Sequence, residues 1–121
     1  MSKVVLSDQE RKDFFKRFID VIHYSDEKSL LPDFFIDFLS QTELDSFIKR
    51  LEVFKRLYSG HSYARVNQEL SVSPITASKV SRSLRDSSDK FKSILEALSD
   101  NLPQPKIEEK EERDDKRSSY L

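Results

Sequence analysis

Between Gly60 and Leu84 the chain reads GHSYARVNQELSVSPITASKVSRSL, two short helical segments with a punctuated turn between them. Ser62 stands where a side-chain oxygen can accept from an orphan N–H, which predicts a helix from there to Leu70. Ser71-Val72 makes a turn. Ser73-Pro74 then has the form of N-cap followed by N1, since Pro fixes a helical φ and has no N–H to leave unpaired. This second helix is predicted to run to about Leu84. Two helices joined so tightly form a helix-turn-helix, whose core needs apolar residues at fixed positions. Val66 and Leu70 supply them on the first helix, Val72 in the turn, Ala77 and Val80 on the second. That leaves Ser73, Pro74, Ile75, Thr76, Ser78, Lys79 and Arg82 on the outer side of the second helix. Short hydroxyls, an apolar residue for a thymine methyl and two cations suit an element in a major groove, with phosphates gripped at its margins. Helical hairpins in ordinary bundles carry the same periodicity.

Upstream, Gly60 supplies a left-handed C′ position for the preceding helix. That helix starts at a capping box, Ser40-Gln41-Thr42-Glu43, and carries Leu44, Phe47, Ile48, Leu51, Phe54, Leu57 and Tyr58 in helical period. A further capping box, Ser7-Asp8-Gln9-Glu10, opens a first helix with Phe15, Phe18, Ile19 and Ile22 on one stripe, to about Tyr24. Phe14 and Val21 lie off the stripe, so this helix needs more than one neighbour. Leu30-Leu31-Pro32 opens a short helix holding Phe34, Phe35, Phe38 and Leu39. Downstream, Asp86-Ser87-Ser88 breaks the chain before a last helix with Phe91, Ile94, Leu95 and Leu98. The fold class is therefore all-α, about six helices with a C-terminal helix-turn-helix. Residues 1–102 form the expected domain. Residues 103–121, mixed in charge and interrupted by Pro, are expected to be disordered.

The composition narrows the function. The chain has 121 residues, no cysteine and one glycine, which excludes thiolate chemistry, Cys-ligated metal and Gly-rich phosphate cradles. No apolar run approaches a membrane span and no leader follows Met1, so a cytoplasmic protein without a membrane partner is expected. His23 and His61 are far apart, while Glu10, Glu43 and Asp45 sit at helix starts, where capping accounts for them. No nucleophile-and-base set can be assembled, so no enzyme is expected. The formal charge is −1, yet it is unevenly placed. Residues 1–48 hold six Lys/Arg against ten Asp/Glu, and residues 49–92 hold ten against four. A basic middle in a near-neutral chain fits one face meeting a polyanion, or else a solvated helix surface.

On these residues the chain resembles the tryptophan-repressor superfamily. The similarity spans about residues 30–100 and is nearest to the tryptophan-repressor-like (YerC-like) branch. It rests on Gly60, Ser62, Tyr63, Ser78, Lys79, Val80, Arg82 and Leu84. The resemblance implies an intertwined homodimer of the tryptophan-repressor type, with N-terminal helices wrapped around the partner. Two reading helices would then meet duplex DNA at a pseudo-palindromic site. The many phenylalanines, Phe14, Phe15, Phe18, Phe34, Phe35 and Phe38 among them, fit such an interface independently. The resemblance also implies ligand positions at Ser40, Arg50 and Lys79. Lysine replaces the family's second arginine at position 79, and Val80 replaces the glycine after it. L-tryptophan is therefore not expected as corepressor, and another small ligand is left open. Asn67 stands where the family has a small residue, and Ser71 where it has a turn glycine.

The function read from the sequence is a sequence-specific DNA-binding transcriptional regulator, in the sense of a repressor. Arg82 and Lys79 lead the DNA contacts, with Ser73, Pro74, Ile75, Thr76 and Ser78 beside them and Arg65, Lys90 and Lys92 for phosphates. The alternatives are a dimeric helical protein-interaction module and a nonspecific DNA binder.

Overall fold

The computed structural model describes residues 5–98. They form six helices: α1 (Asp8–Glu27), α2 (Leu31–Phe38), α3 (Gln41–Tyr58), α4 (Tyr63–Leu70), α5 (Pro74–Arg85) and α6 (Asp89–Leu98). No strand occurs among the described residues, and the fold is all-α as the sequence predicts. The expected disordered tail, 103–121, lies outside the described residues. The chain divides into two compact units, one holding α1 and α2 and the other beginning at Thr42.

In the first unit the capping box at Ser7 forms as expected. Ser7 Oγ accepts from the Glu10 N–H at 3.1 Å, and the Ser7 N–H donates to Glu10 Oε1 at 3.0 Å. The Ser7 N–H on that carboxylate, with the Ser7 hydroxyl second, holds the Glu10 carboxyl below the ordinary carboxylate value. The helix runs to Glu27, a few residues beyond the stripe, and ends without glycine. Ser29 takes φ +58, the Leu30 N–H donates to Ser25 O at 2.7 Å, and the Ser29 N–H to Asp26 O at 3.1 Å. This is a Schellman end with serine in the left-handed place. Pro32 falls in the first turn of α2. The rings of Phe34 and Phe38 stack at 5.1 Å, with Phe35 edge-on to Phe34 at 5.3 Å and Phe18 at 6.3 Å from both stacked rings. Even so, α1 buries only Ser25, and Phe14, Phe15, Val21, Tyr24 and Phe38 stay exposed within the single chain.

The second unit has a continuous core of Val53, Phe54, Val66, Val72, Ala77, Val80 and Leu95. Leu57, Tyr58, Leu70, Leu84 and Phe91 pack around it. Phe91 meets Phe54 edge-on at 5.1 Å, which fixes α6 against α3. Tyr58 adds a polar tie, since its phenol donates to Glu96 and that carboxylate raises the phenol's pKa above its ordinary value. The positions predicted to hold the helix-turn-helix together are the ones this core uses. On α6 the outcome is divided: Leu95 is fully buried, while Ile94 and Leu98 remain exposed.

Candidate nucleic-acid interface

Each joint of the α3–α4–α5 segment is set by a local rule. Gly60, at φ +89, closes α3 in a second Schellman end: its N–H donates to Leu57 O and the His61 N–H to Arg56 O at 3.0 Å. Ser62 Oγ accepts from the Arg65 N–H at 3.1 Å and starts α4. Ser71 ends α4 in the left-handed conformation, φ +55 and ψ +46. Ser73 starts α5, its Oγ accepting from the Thr76 N–H at 3.2 Å and donating to Thr76 Oγ1 at 3.1 Å.

Two side chains brace the turn that the sequence did not single out for it. Asn67 Nδ2 donates to the carbonyl of Val72 at 2.9 Å. Lys49, from α3, brings Nζ to 3.5 Å from the Ser71 carbonyl. The polar residue at 67 is thus a staple across the turn. Asparagine at that point was visible in the sequence, but its partner was not, because a turn carbonyl leaves no mark on residue type.

Ala77 and Val80 face the core, and the other side of α5 lies in solvent. Ile75 is 71% exposed, and Ser73, Pro74, Thr76, Ser78, Lys79 and Arg82 are exposed beside it. Pro74 has no N–H, Thr76 is capped by Ser73 Oγ, and Ala77 N–H is bonded to Ser73 O at 2.9 Å. Among the described residues the Ile75 N–H is therefore the first-turn donor left without a partner, at the helix end that favours negative charge. Lys79, Arg82 and Lys90 make no ion pair among the described residues. Lys92 is half-buried. Arg65 is engaged, donating from Nε to Glu69 Oε1 at 2.8 Å.

That last contact belongs to a cluster the sequence did not reveal. Arg56 is buried, its side chain 5% exposed, and bridges α3 to α4. Its Nη1 donates to Glu52 Oε1 at 2.7 Å and its Nε to Glu69 Oε2 at 3.1 Å. Lys55 completes Glu52's pairing at 3.1 Å. Burial alone would raise the pKa of Glu52 and Glu69; hydrogen bonds and charge from Lys55, Arg56 and Arg65 outweigh it and hold both below the ordinary value. The basic middle of the sequence is therefore two populations. Arg56, Lys55 and Arg65 are matched internally, whereas Lys79 and Arg82 face water.

Of the ligand positions the resemblance implied, Ser40 is exposed at the end of the first unit. Arg50 lies with its guanidinium 5.1 Å over the Phe54 ring. Lys79 is exposed on α5, and Val80 is buried in the core.

The family model described as Trp repressor protein matches residues 13–99, well over half of the chain. The chain belongs to the Trp repressor family. Its α4–α5 pair is accordingly the helix-turn-helix of a DNA-binding regulator family, on a chain with no helix among the described residues long and apolar enough to cross a membrane. Neither the curated proteins nor the solved structures include a match.

Proposed function

We propose that this Trp repressor family member is a sequence-specific transcriptional regulator, a repressor in the simplest form, binding duplex DNA as a homodimer in the cytoplasm and carrying no catalytic activity. The observation that carries the reading is the division of α5. Ala77 and Val80 lock one side into the core, while Ile75, Thr76, Ser78, Lys79 and Arg82 stand uncovered on the other. Arg82 and Lys79 are the leading contacts, with Ser73, Pro74, Ile75, Thr76 and Ser78 at base edges and phosphates. Lys90, Lys92 and Arg65 are the proposed phosphate contacts; Lys90 is exposed, while Lys92 and Arg65 are half-buried. Membership of the YerC-like branch is part of the proposal and rests on the Gly60-to-Leu84 string.

L-tryptophan has no place in it. Stacking over Phe54 engages the Arg50 face, Val80 fills core space, and Lys79 lacks the planar fork that grips a carboxylate and stacks on an indole. The turn is braced by Asn67 and the reading helix by its own apolar side, which supports a reading head competent without a small ligand.

The test is capture of fragmented genomic DNA by the protein, with and without L-tryptophan, followed by sequencing. A two-fold-symmetric site enriched equally in both arms is expected. Enrichment that requires tryptophan would overturn the ligand-free part, and no enrichment would favour a nonspecific binder or an interaction module. Arg82→Ala and Lys79→Ala should each weaken binding to the enriched site about tenfold or more.

A further inference from the structure

The carboxylate of Glu69 is contested. Its Oε2 is held by Arg56, while two groups converge on Oε1: Arg65 Nε at 2.8 Å and His61 Nδ1 at 3.5 Å. Arg65 has the hydrogen bond. His61 Nδ1 is buried and has no hydrogen-bond partner among the described residues. Arg56 cannot yield its side of the carboxylate, since its Nη1 is also bonded to the carboxylate and the carbonyl of Glu52. Arg65 can yield, because it reaches Glu69 through Nε alone and its side chain is 41% exposed.

We propose that protonation of His61 exchanges the two groups on Glu69 Oε1. With neutral His61, Arg65 stays bound to Glu69. When His61 takes a proton from solvent, its Nδ1–H donates to Oε1 and the Arg65 guanidinium swings outward, free to meet an anion. Resting on the DNA-binding reading above, that anion is a backbone phosphate, so the chain gains one phosphate contact once His61 is charged.

The electrostatics support the exchange. Burial, with Arg65 and then Arg56 against the opposing pull of Glu69, lowers the imidazole pKa below its ordinary value, so His61 is neutral at neutral pH. Those three charges face it from α3 and α4, with Glu52 and Lys55 one pair further out. Glu69 is also held below the ordinary carboxylate value, so it stays ionised to lower pH than a free carboxylate and keeps its charge toward His61. A proton added there joins Arg56, Arg65 and Lys55 against two carboxylates. Outward movement of the most exposed cation is the least costly relief.

The experiment follows the side-chain NMR signals of His61 and of Arg65 Nε–H in the full chain, from about pH 7.5 downward through the His61 titration. Arg65 Nε–H is expected to lose its protected signal with the same midpoint as the His61 titration, and to keep it throughout in His61→Gln. An Arg65 signal that is unchanged while His61 titrates would overturn the exchange. A second arm measures duplex affinity against salt at the two ends of that range. The slope of log K against log salt should steepen by about one unit in acid for the wild type and for neither His61→Gln nor Arg65→Gln. Equal steepening in His61→Gln would overturn the phosphate contact. Arg65 release without binding to any duplex would uphold the exchange and reject the DNA-binding reading.

Discussion

At the scale of single residues, two serines hold conformations that favour glycine. Ser29 and Ser71 have φ of +58 and +55. A left-handed backbone costs a residue with a Cβ about 1–2 kcal/mol; glycine removes that strain but loses about 0.4–1 kcal/mol because it frees the unfolded chain. Ser71→Gly should therefore stabilise the protein by up to about 1 kcal/mol in urea unfolding. A loss of stability would mean that the Ser71 side chain holds the turn in a way its backbone does not reveal. Glu69→Ala acts in the opposite direction. It strips one arm from buried Arg56 and leaves Glu52 as the other, so a loss near the lower end of about 3–5 kcal/mol is expected by the same measurement. His61 adds a pH dependence. Its folded pKa lies below the unfolded value, so the unfolded chain binds the proton first. The contribution is fully present above about pH 6.5 and is lost as pH falls from there through the folded value. A urea midpoint that drops across that window in the wild type, and less in His61→Gln, is the expected result.

At the scale of elements, what was legible in the sequence was local. The caps at Ser7, Ser62 and Ser73, the stop at Gly60, the proline in the first turn of α5 and the alternation of Ala77 and Val80 with outward polar residues each act within about one turn. Such signals need no knowledge of the rest of the chain. What was not legible spans longer separations. Arg56 and Glu69 are paired across two helices, and as isolated letters they look like the surface charges on either side of them. Arg65 shows the same limit from the other side, being legible as a cation but not as one already bound. The Asn67 bond to Val72 is intermediate, short in sequence yet dependent on the left-handed Ser71 that turns the carbonyl toward it. Asn67→Ala should cost about 1 kcal/mol, with amide exchange accelerating first at residues 71–73. Exchange rising evenly over α4 and α5 instead would mean the bond supports the whole pair rather than the turn.

At the scale of the whole molecule, the described residues leave aromatic and aliphatic side chains of both units uncovered. In the first unit Phe15 is 63% and Phe38 60% exposed; in the second, Phe47 is 58% and Ile94 55% exposed, with Ile48, Leu51 and Leu98 also open to solvent. Both units thus present several large aromatic and aliphatic side chains to solvent, the kind of surface an interface covers. A second copy is the occupant that the homodimer proposal supplies. It also accounts for why the helical pattern of α1 extends round more of its surface than α2 alone can cover. Sedimentation equilibrium should then return twice the 14.2 kDa of one chain. Phe15→Asp and Phe47→Asp, placed in separate units, should each shift the mass toward the monomer, because burying one unpaired carboxylate at such an interface outweighs the loss of a ring. Neither substitution touches α5. If both variants lose affinity for a two-fold DNA site and keep a weak, single-site binding, the reading helices work as a pair held together by that apolar surface. A wild-type mass of a single chain, with DNA affinity intact, would instead assign these phenylalanines to a different partner.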